Sequence, residues 1–177
     1  MTARAGRGES FRPSLFTMHN SQSAQLESAF MEMIMFIGIQ ATGKSSFYRA
    51  KFFRTHVRIN LDMLRTRRRE KLLLDACIAG RSDFVVDNTN LTREERRIFI
   101  APARAAGFRV VGYYFESKVA DALRRNAERL ADERVPDKAI PGSSNRLELP
   151  APEEGFDELF YVRLTDHNQF SVEKWKL

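Results

Sequence analysis

The segment that most constrains the fold is Gly-Ile-Gln-Ala-Thr-Gly-Lys-Ser at positions 38–45. A glycine, four further residues and then Gly-Lys-Ser is the spacing of a loop that binds phosphate groups. The apolar run at 34–37 just before it is typical of a buried strand. Positions 46–53 contain neither glycine nor proline and favour a helix. Strand, loop and helix in this order predict that the segment binds a nucleoside triphosphate.

The chemistry of this loop follows from its backbone. Gly38 and Gly43 permit conformations that a Cβ atom would forbid, so that successive N–H groups can point inward and surround an anion. The helix N-terminus that follows also favours negative charge. We expect Lys44 to reach the β- and γ-phosphates of ATP and the Ser45 hydroxyl to hold Mg²⁺. The residues of this segment predicted to bind ATP are Gly38, Ile39, Gln40, Ala41, Thr42, Gly43, Lys44, Ser45 and Ser46.

Composition narrows the class of protein. The chain has 177 residues, of which 43% are hydrophobic and 29% charged, as in one globular domain. No apolar run approaches the roughly 18 residues that would span a bilayer. Positions 1–30 lack an apolar signal core and predict a flexible arm before a nucleotide-binding domain at 31–177. We expect a cytoplasmic protein without an internal disulfide, since Cys77 is the single cysteine.

Strand and helix patterns alternate along the rest of the chain. Strands are predicted at 33–37, 57–60, 84–86, 109–115 and 160–164, with helices at 46–53, 62–79, 92–106 and 118–130. This alternation predicts a three-layer α/β fold of the P-loop NTPase type, in which a mainly parallel, five-stranded sheet carries helices on both faces. Pro102 is expected to kink or split its helix. The proline-rich stretch 136–155 is expected to form an irregular lid or loop.

Ligands of such sheets bind at the carboxyl ends of the strands, where three acidic or basic side chains stand out. Asp62 follows the second strand and is the candidate general base that accepts a proton from a phosphate acceptor, although an aspartate here can also simply cap the next helix. Arg65 lies one helical turn later. It is expected to hold an acceptor phosphate, to pair with Asp87, or to be merely solvated.

The third strand ends at Asp87, as the acidic residue of a second nucleotide-binding motif does. We expect Asp87 to contact Mg²⁺ through water or to orient Arg65, and Asn88 to form a turn. ATPases that activate water with a glutamate carry this glutamate directly after such an aspartate. No glutamate follows Asp87, and its absence favours transfer to a bound acceptor over hydrolysis. Arg125 and Arg129 share a helix face before the proline-rich stretch and are either lid residues that contact the phosphates or an exposed basic face.

Four motifs in this order resemble the polynucleotide 5′-kinase domain, a P-loop phosphotransferase related to zeta-type toxins. The resemblance covers about residues 33–164. The motifs are Gly-x-x-x-x-Gly-Lys-Ser at 38–45, Arg-Ile-Asn-Leu-Asp-x-x-Arg at 58–65, Val-Val-Asp-Asn-Thr-Asn at 85–90 and Arg-Asn-x-x-Arg at 125–129, followed by Val-Pro at 135–136.

The resemblance implies an ATP- and Mg²⁺-dependent kinase with assigned residue roles. Asp62 would activate a 5′-hydroxyl, Lys44 would act on the phosphates, and Arg129 with Arg125 behind it would be the lid arginine. Arg65, oriented by Asp87 and accompanied by Asn88, would bind the acceptor strand. A net charge of +6 is consistent with a nucleic-acid partner. Two alternatives stay open: a kinase for a sugar, nucleotide-sugar or tRNA-linked acceptor, and an ATP-binding switch or ATPase.

Overall fold

A computed structural model describes residues 31–165 and 169–176, so the arm expected at 1–30 lies outside the described residues. Within this part of the chain, strands and helices alternate as predicted. The strands are β1 (Glu32–Ile37), β2 (Val57–Ile59), β3 (Phe84–Val86), β4 (Arg109–Phe115), β5 (Glu158–Leu164) and β6 (Phe170–Lys174). The helices are α1 (Lys44–Lys51), α2 (Leu61–Leu64), α3 (Arg67–Ala79), α4 (Arg93–Ala105), α5 (Val119–Ala127) and α6 (Ala139–Arg146), and a short 3-10 helix spans Pro152–Glu154.

The strands form one sheet in the order β2-β3-β1-β4-β5-β6. The first five are parallel, and β6 runs antiparallel to β5. The α/β fold of the P-loop NTPase type is therefore confirmed, but the prediction of five strands was wrong by one. The strand β6 escaped prediction because Val172, Glu173 and Lys174 are exposed at the sheet edge and lack the apolar alternation of a buried strand.

Apolar side chains cover both faces of the sheet. On one face Phe36 of β1 packs against Phe47 of α1, with ring centroids 5.7 Å apart. On the other face Met35 belongs to a cluster that includes Leu74 of α3 and Phe99 of α4. The central strand β1 is thus buried on both sides, which fixes the start of the loop that follows it.

The helix predicted over 62–79 is interrupted. It consists of α2 and α3, and Arg65 between them adopts a left-handed backbone conformation with φ of 68°. Thr66 begins the second helix, because its hydroxyl accepts a hydrogen bond from the Arg69 N–H at 3.3 Å. Residues 65–71 contain neither glycine nor proline, so no helix-breaking residue marked the end of one helix and the start of the next.

Two expectations about prolines need correction: Pro102 does not split its helix, and the stretch 136–155 is not wholly irregular. The helix α4 runs through Pro102 without a break, since only the carbonyl of the exposed Ile98 loses its hydrogen-bond donor. The stretch 136–155 contains α6, in which Pro141 occupies the first turn, where no backbone N–H is needed. Ile140 anchors this helix in a cluster with Ile39 and Leu91. None of the described helices is both long and apolar enough to cross a membrane.

Candidate active site

A polar cleft lies where β1, β2 and β3 end. Because the sheet order places these three strands side by side, the segments that follow them converge at one edge. The residues that line the cleft are Gln40, Ala41, Thr42, Gly43, Lys44 and Ser45 from the loop, Asn60, Asp62, Asp87, Asn88 and Thr89 from the strand ends, and Arg129 and Val135 from the segment after α5. The predicted binding residues absent from this lining are Gly38, Ile39, Ser46, Arg65 and Arg125, and their roles in binding stay predictions.

The loop conformation depends on its glycines. Gly38 has a φ of 147°, and a Cβ atom there would lie 3.1 Å from the Phe115 carbonyl oxygen. Its N–H donates to the Thr89 carbonyl at 2.9 Å, so the loop is tied to the end of β3. Gly43 has a φ of 92° directly before α1. A chain with side chains at these two positions could not follow this path without strain.

Lys44 is buried at the centre of the loop. Its ammonium group donates to the carbonyl oxygens of Gly38 at 2.9 Å and Ile39 at 2.5 Å. Burial lowers the pKa of Lys44 to about 8, Asp87 opposes this shift, and Arg129 adds to it. The lysine is therefore bound to its own loop, and a phosphate group would add negative charge to that of the nearby Asp87 and Asp62.

Ser45 and Asp87 adjoin each other, but the arginine that binds them is Arg58. The Ser45 hydroxyl donates to Asp87 Oδ2 at 3.2 Å, and Arg58 Nε donates to the same oxygen at 2.9 Å. The expectation that Asp87 pairs with Arg65 was wrong: Arg65 ends α2 in a left-handed conformation with its side chain exposed. Arg58 lies on β2, next to the strand that Asp87 terminates.

Asp62 is placed in the cleft by its neighbours. Asn60 caps α2, since its Oδ1 accepts the Met63 N–H at 3.1 Å. Asn88 Oδ1 accepts the Leu61 N–H at 2.9 Å, and Asn88 Nδ2 donates to the buried Glu70 at 2.6 Å. Asp62 is therefore not the helix cap, and within the described residues its exposed carboxylate accepts no hydrogen bond. Its negative charge remains available to a ligand.

The oxygen donors needed for Mg²⁺ are present. Ser45 and Asp87 supply a hydroxyl and a carboxylate, which are hard oxygen ligands of the kind that Mg²⁺ takes together with water and substrate phosphates. Both oxygens are contacted by Arg58, whose Nη2 lies 2.8 Å from Ser45 Oγ. The residues thus fit a magnesium site, provided that Arg58 moves.

The segment 128–138 between α5 and α6, called the lid segment below, contributes Arg129 to the cleft, whereas the other predicted lid arginine, Arg125, lies on α5. The one hydrogen bond of the Arg129 side chain within the described residues goes to the Glu133 carbonyl at 3.4 Å. Asn126 is fully buried and secures the segment, because it donates to the Val135 carbonyl at 2.8 Å and accepts the Val135 N–H at 3.1 Å. Arg125 is half-buried on α5 and does not line this cleft.

Sequence reasoning missed three contributors to the site. Arg58 was visible only as part of a motif, and Asn60 was noted without its role as a cap. Glu70 lies inside a basic run, Arg-Arg-Arg-Glu-Lys at 67–71, that suggested a solvated helix face. The signal that could have exposed Glu70 is the single acidic residue in that run, since a buried carboxylate needs partners, here Arg67 at 2.7 Å and Asn88.

Comparison with known proteins agrees with this geometry. A family model described as an AAA domain matches residues 33–150, which is more than half of the chain. The chain belongs to this AAA domain family. The matched residues include the phosphate-binding loop, Asp62, Asp87 and Arg129. Family and fold together identify a kinase-like P-loop protein that binds ATP.

Individual relatives of this AAA domain protein are between 18% and 26% identical to it over the matched residues. The bifunctional polynucleotide phosphatase/kinase of Schizosaccharomyces pombe is 26% identical over 155 residues, which cover 84% of the chain but 38% of that relative. Chaetomium thermophilum Kti12, solved in complex with ADP-AlF3, matches with a TM-score of 0.58 and 18% identity over 76% of the chain and 90% of Kti12. A gluconokinase from Sinorhizobium meliloti 1021 matches with a TM-score of 0.53 and 20% identity over 76% of the chain and 83% of the gluconokinase. The two structures share the fold.

Proposed function

We propose that the protein is an ATP-dependent polynucleotide 5′-kinase, which transfers the γ-phosphate of ATP to a 5′-hydroxyl end of DNA or RNA. The observation that carries this proposal is the position of Asp62. Its carboxylate is exposed in the same cleft as Lys44 and Arg129, and its helix is capped by another residue. A carboxylate that does not cap its helix and lies in the same cleft as the phosphate-binding lysine can act as the base when a phosphate group is transferred to an acceptor hydroxyl.

In the proposed reaction, the acceptor hydroxyl gives its proton to Asp62 as its oxygen bonds to the γ-phosphorus. The bond from this phosphorus to the oxygen that bridges the β- and γ-phosphates breaks, and ADP leaves. Lys44 and Arg129 neutralise charge on the phosphate oxygens during transfer. Ser45 and Asp87 would hold Mg²⁺, which would supply further positive charge to the β- and γ-phosphates when bound.

Support for a nucleic-acid acceptor comes from the net charge of the chain and from sequence similarity to a relative. The chain carries a net charge of +6, and the S. pombe relative is a polynucleotide phosphatase/kinase. In this proposal Arg65 and Asn88 contact the acceptor strand, and Asp87 helps to position the groups around them. Arg65 is exposed next to α2 and can reach a phosphate outside the cleft lining.

A second candidate function is a kinase for a smaller acceptor, such as a sugar or a nucleotide-sugar. The observation that favours it is the composition of the cleft, whose lining contains neither Arg65 nor an aromatic side chain on which a terminal base could stack. The aromatic residues of α1 cannot take that part, because Phe47 and Tyr48 are buried. Such a kinase would use the same loop, base and lid arginine.

The test is transfer of labelled γ-phosphate from ATP to DNA and RNA oligonucleotides that carry a 5′-hydroxyl. Asp62→Asn removes the base and should lower transfer by about 10² or more while ATP still binds. Asp75→Asn, a substitution of an exposed carboxylate on α3, is the matched control and should leave transfer unchanged. A 5′-phosphorylated oligonucleotide should accept nothing.

The outcomes separate the candidate functions. Transfer by the wild type that is lost in Asp62→Asn supports the polynucleotide kinase and its base. ATP binding without transfer to either nucleic acid refutes that function and leaves the small-acceptor kinase, for which the same assay is repeated with sugars and nucleotide-sugars. Equal transfer by Asp62→Asn and wild type refutes the role of Asp62.

A further inference from the structure

Arg58 lies where the magnesium chemistry of the site is expected. Its Nη2 atom is 2.8 Å from Ser45 Oγ and 2.5 Å from Asp87 Oδ2, and its Nε is 2.9 Å from the same carboxylate oxygen. These are the two oxygens that suit a divalent cation. One guanidinium group therefore contacts both of them at hydrogen-bond distance.

The burial of the pair makes this contact significant. The Asp87 side chain is 2% exposed and that of Arg58 is 22% exposed. A carboxylate removed from water to this degree requires a positive partner, because an unpaired buried charge is strongly destabilising. Arg58 is that partner. The ring of Tyr48, 5.2 Å from the guanidinium carbon, steadies it from another side.

A guanidinium and a hydrated divalent cation cannot use the same oxygen atoms at once. They would compete for space and would repel each other through like charge. Arg58 has a route outward, since β2 is the edge strand of the sheet and the neighbouring Met63 is 61% exposed. Met63 Sδ lies 3.4 Å from Arg58 Nη1, on the side that faces solvent.

We propose that Arg58 is an internal counter-ion of the metal site, which holds Ser45 and Asp87 in the nucleotide-free protein and is displaced when a divalent cation enters with ATP. This inference rests on the ATP-binding part of the proposed function and is independent of the acceptor. It assigns to Arg58 a positioning role that the loop motif does not contain. Binding of metal–ATP then includes the cost of breaking the contacts of Arg58.

The proposal predicts effects of opposite sign with and without metal. In the absence of a divalent cation, the positive charge of Arg58 beside the loop assists ATP binding. In its presence, the same charge competes with the metal ion. Replacing Arg58 by an uncharged residue should therefore weaken metal-free ATP binding and strengthen metal-dependent binding. A substitution that merely loosened the loop would weaken both.

The experiment measures the dissociation constant of ATP in EDTA and in Mg²⁺ for the wild type, Arg58→Gln and Arg109→Gln. Arg109 is the matched control, because it also lies on a strand and pairs with carboxylates, those of Glu32 and Glu158, but at the opposite end of the strands from the cleft. The ratio of the EDTA to the Mg²⁺ constant should rise about tenfold or more in Arg58→Gln and stay unchanged in Arg109→Gln. Arg58→Lys, which keeps the charge without the planar fork, should fall between.

A second readout tests the metal directly. Mn²⁺ titrated into the ATP-bound protein and followed by electron paramagnetic resonance should bind more tightly to Arg58→Gln than to the wild type. A ratio that is unchanged, or Mn²⁺ binding that is equal or weaker in Arg58→Gln, overturns the proposal. Failure of the wild type to bind ATP in either buffer instead refutes the proposed function. Circular dichroism of each variant shows whether Arg58→Gln is folded, and if it is not, the same comparison is made with Arg58→Lys.

Discussion

The two sides of the cleft are built differently. On the strand side, the polar groups are buried and bonded to the backbone: Asn90 Nδ2 donates to the Phe36 carbonyl at 2.7 Å, and the Gly38 N–H donates to the Thr89 carbonyl at 2.9 Å. On the lid side, Leu130 is 71% exposed, and the one side-chain hydrogen bond of Arg129 within the described residues is long, at 3.4 Å. One side is a fixed frame, whereas the other is held mainly by Asn126.

This difference between the two sides predicts a different functional role for each. The backbone of the loop binds phosphate with little rearrangement, because its N–H groups are oriented before the ligand arrives, and on this side only the Arg58 side chain is proposed to move. A lid arginine with few partners can turn towards charge that develops only during transfer. We therefore expect ATP affinity to depend on the loop and the rate of transfer to depend more on the lid.

The largest effect should come from the loop. Lys44→Met removes the ammonium group but keeps an unbranched apolar side chain in the buried position, so that the fold should persist. ATP affinity should fall by about 100-fold or more, since several charge-assisted hydrogen bonds to phosphate are lost together. Isothermal titration calorimetry with ATP measures the change, and transfer should become undetectable.

If Lys44→Met still bound ATP as well as the wild type, the expected dependence of ATP affinity on the loop would be wrong. Thr42 offers a milder control, because its hydroxyl donates to the Ile39 carbonyl at 2.9 Å and so supports the loop from within. Thr42→Ser keeps this hydrogen bond and should leave ATP affinity nearly unchanged.

A smaller effect is expected on the lid side. Arg129→Gln should lower the rate of transfer by roughly 10- to 100-fold, because an arginine that stabilises the transition state loses its charge. ATP affinity should change by less than about threefold, since Arg129 contributes little before the phosphate moves. Single-turnover transfer and calorimetry with ATP measure the two quantities separately.

Arg125→Gln is the matched control for this prediction. Arg125 lies one turn earlier, on α5, and outside the cleft lining. If both arginines act on the nucleotide, as the family resemblance implies, then Arg125→Gln should also slow transfer. If only the residue in the cleft acts, then Arg125→Gln should match the wild type. A loss of ATP affinity larger than the loss of rate in Arg129→Gln would contradict the division between frame and lid.

Much of the frame could be predicted from the sequence. The strand β4 was predicted with the bounds that the structure shows, because five of its seven residues are apolar or aromatic and the run stands between Gly107 and the polar residues after Phe115. The strand–loop–helix unit followed from the glycine spacing, the apolar run at 34–37 before it and the absence of glycine and proline at 46–53 after it. Placing Asp62 and Asp87 at one edge required only that parallel strands share the direction of their carboxyl ends.

What could not be predicted depends on contacts between side chains that are distant in sequence. The partner of Asp87 is Arg58 instead of Arg65, and both arginines stand in the same motif, so spacing could not separate them. The break at Arg65 depends on competing caps at Asn60 and Thr66, whose strength periodicity does not measure. The helix α6 forms because Ile140 finds a buried cluster, which the prolines and glycine of its segment conceal.

The smallest effect concerns the pH dependence of the frame. Burial lowers the pKa of Lys44 to about 8 in the nucleotide-free protein, and bound phosphates should keep the lysine protonated in the complex. ATP binding must then take up a proton above this pKa, so that ATP affinity should fall about fourfold between roughly pH 7 and pH 8.5. Lys44→Arg, which stays charged throughout, should show no such fall.

The stability of the nucleotide-free protein should change in the opposite direction over the same range. An unfolded lysine titrates near its ordinary pKa of 10.5, so between about pH 8 and that value the unfolded chain binds more protons than the folded one. The folded protein should therefore become more stable relative to Lys44→Met as the pH rises through this window. Urea unfolding at a series of pH values measures the difference. If ATP affinity and relative stability both fell with rising pH, Lys44 would not be the titrating group. The frame would then owe its phosphate affinity to backbone N–H groups.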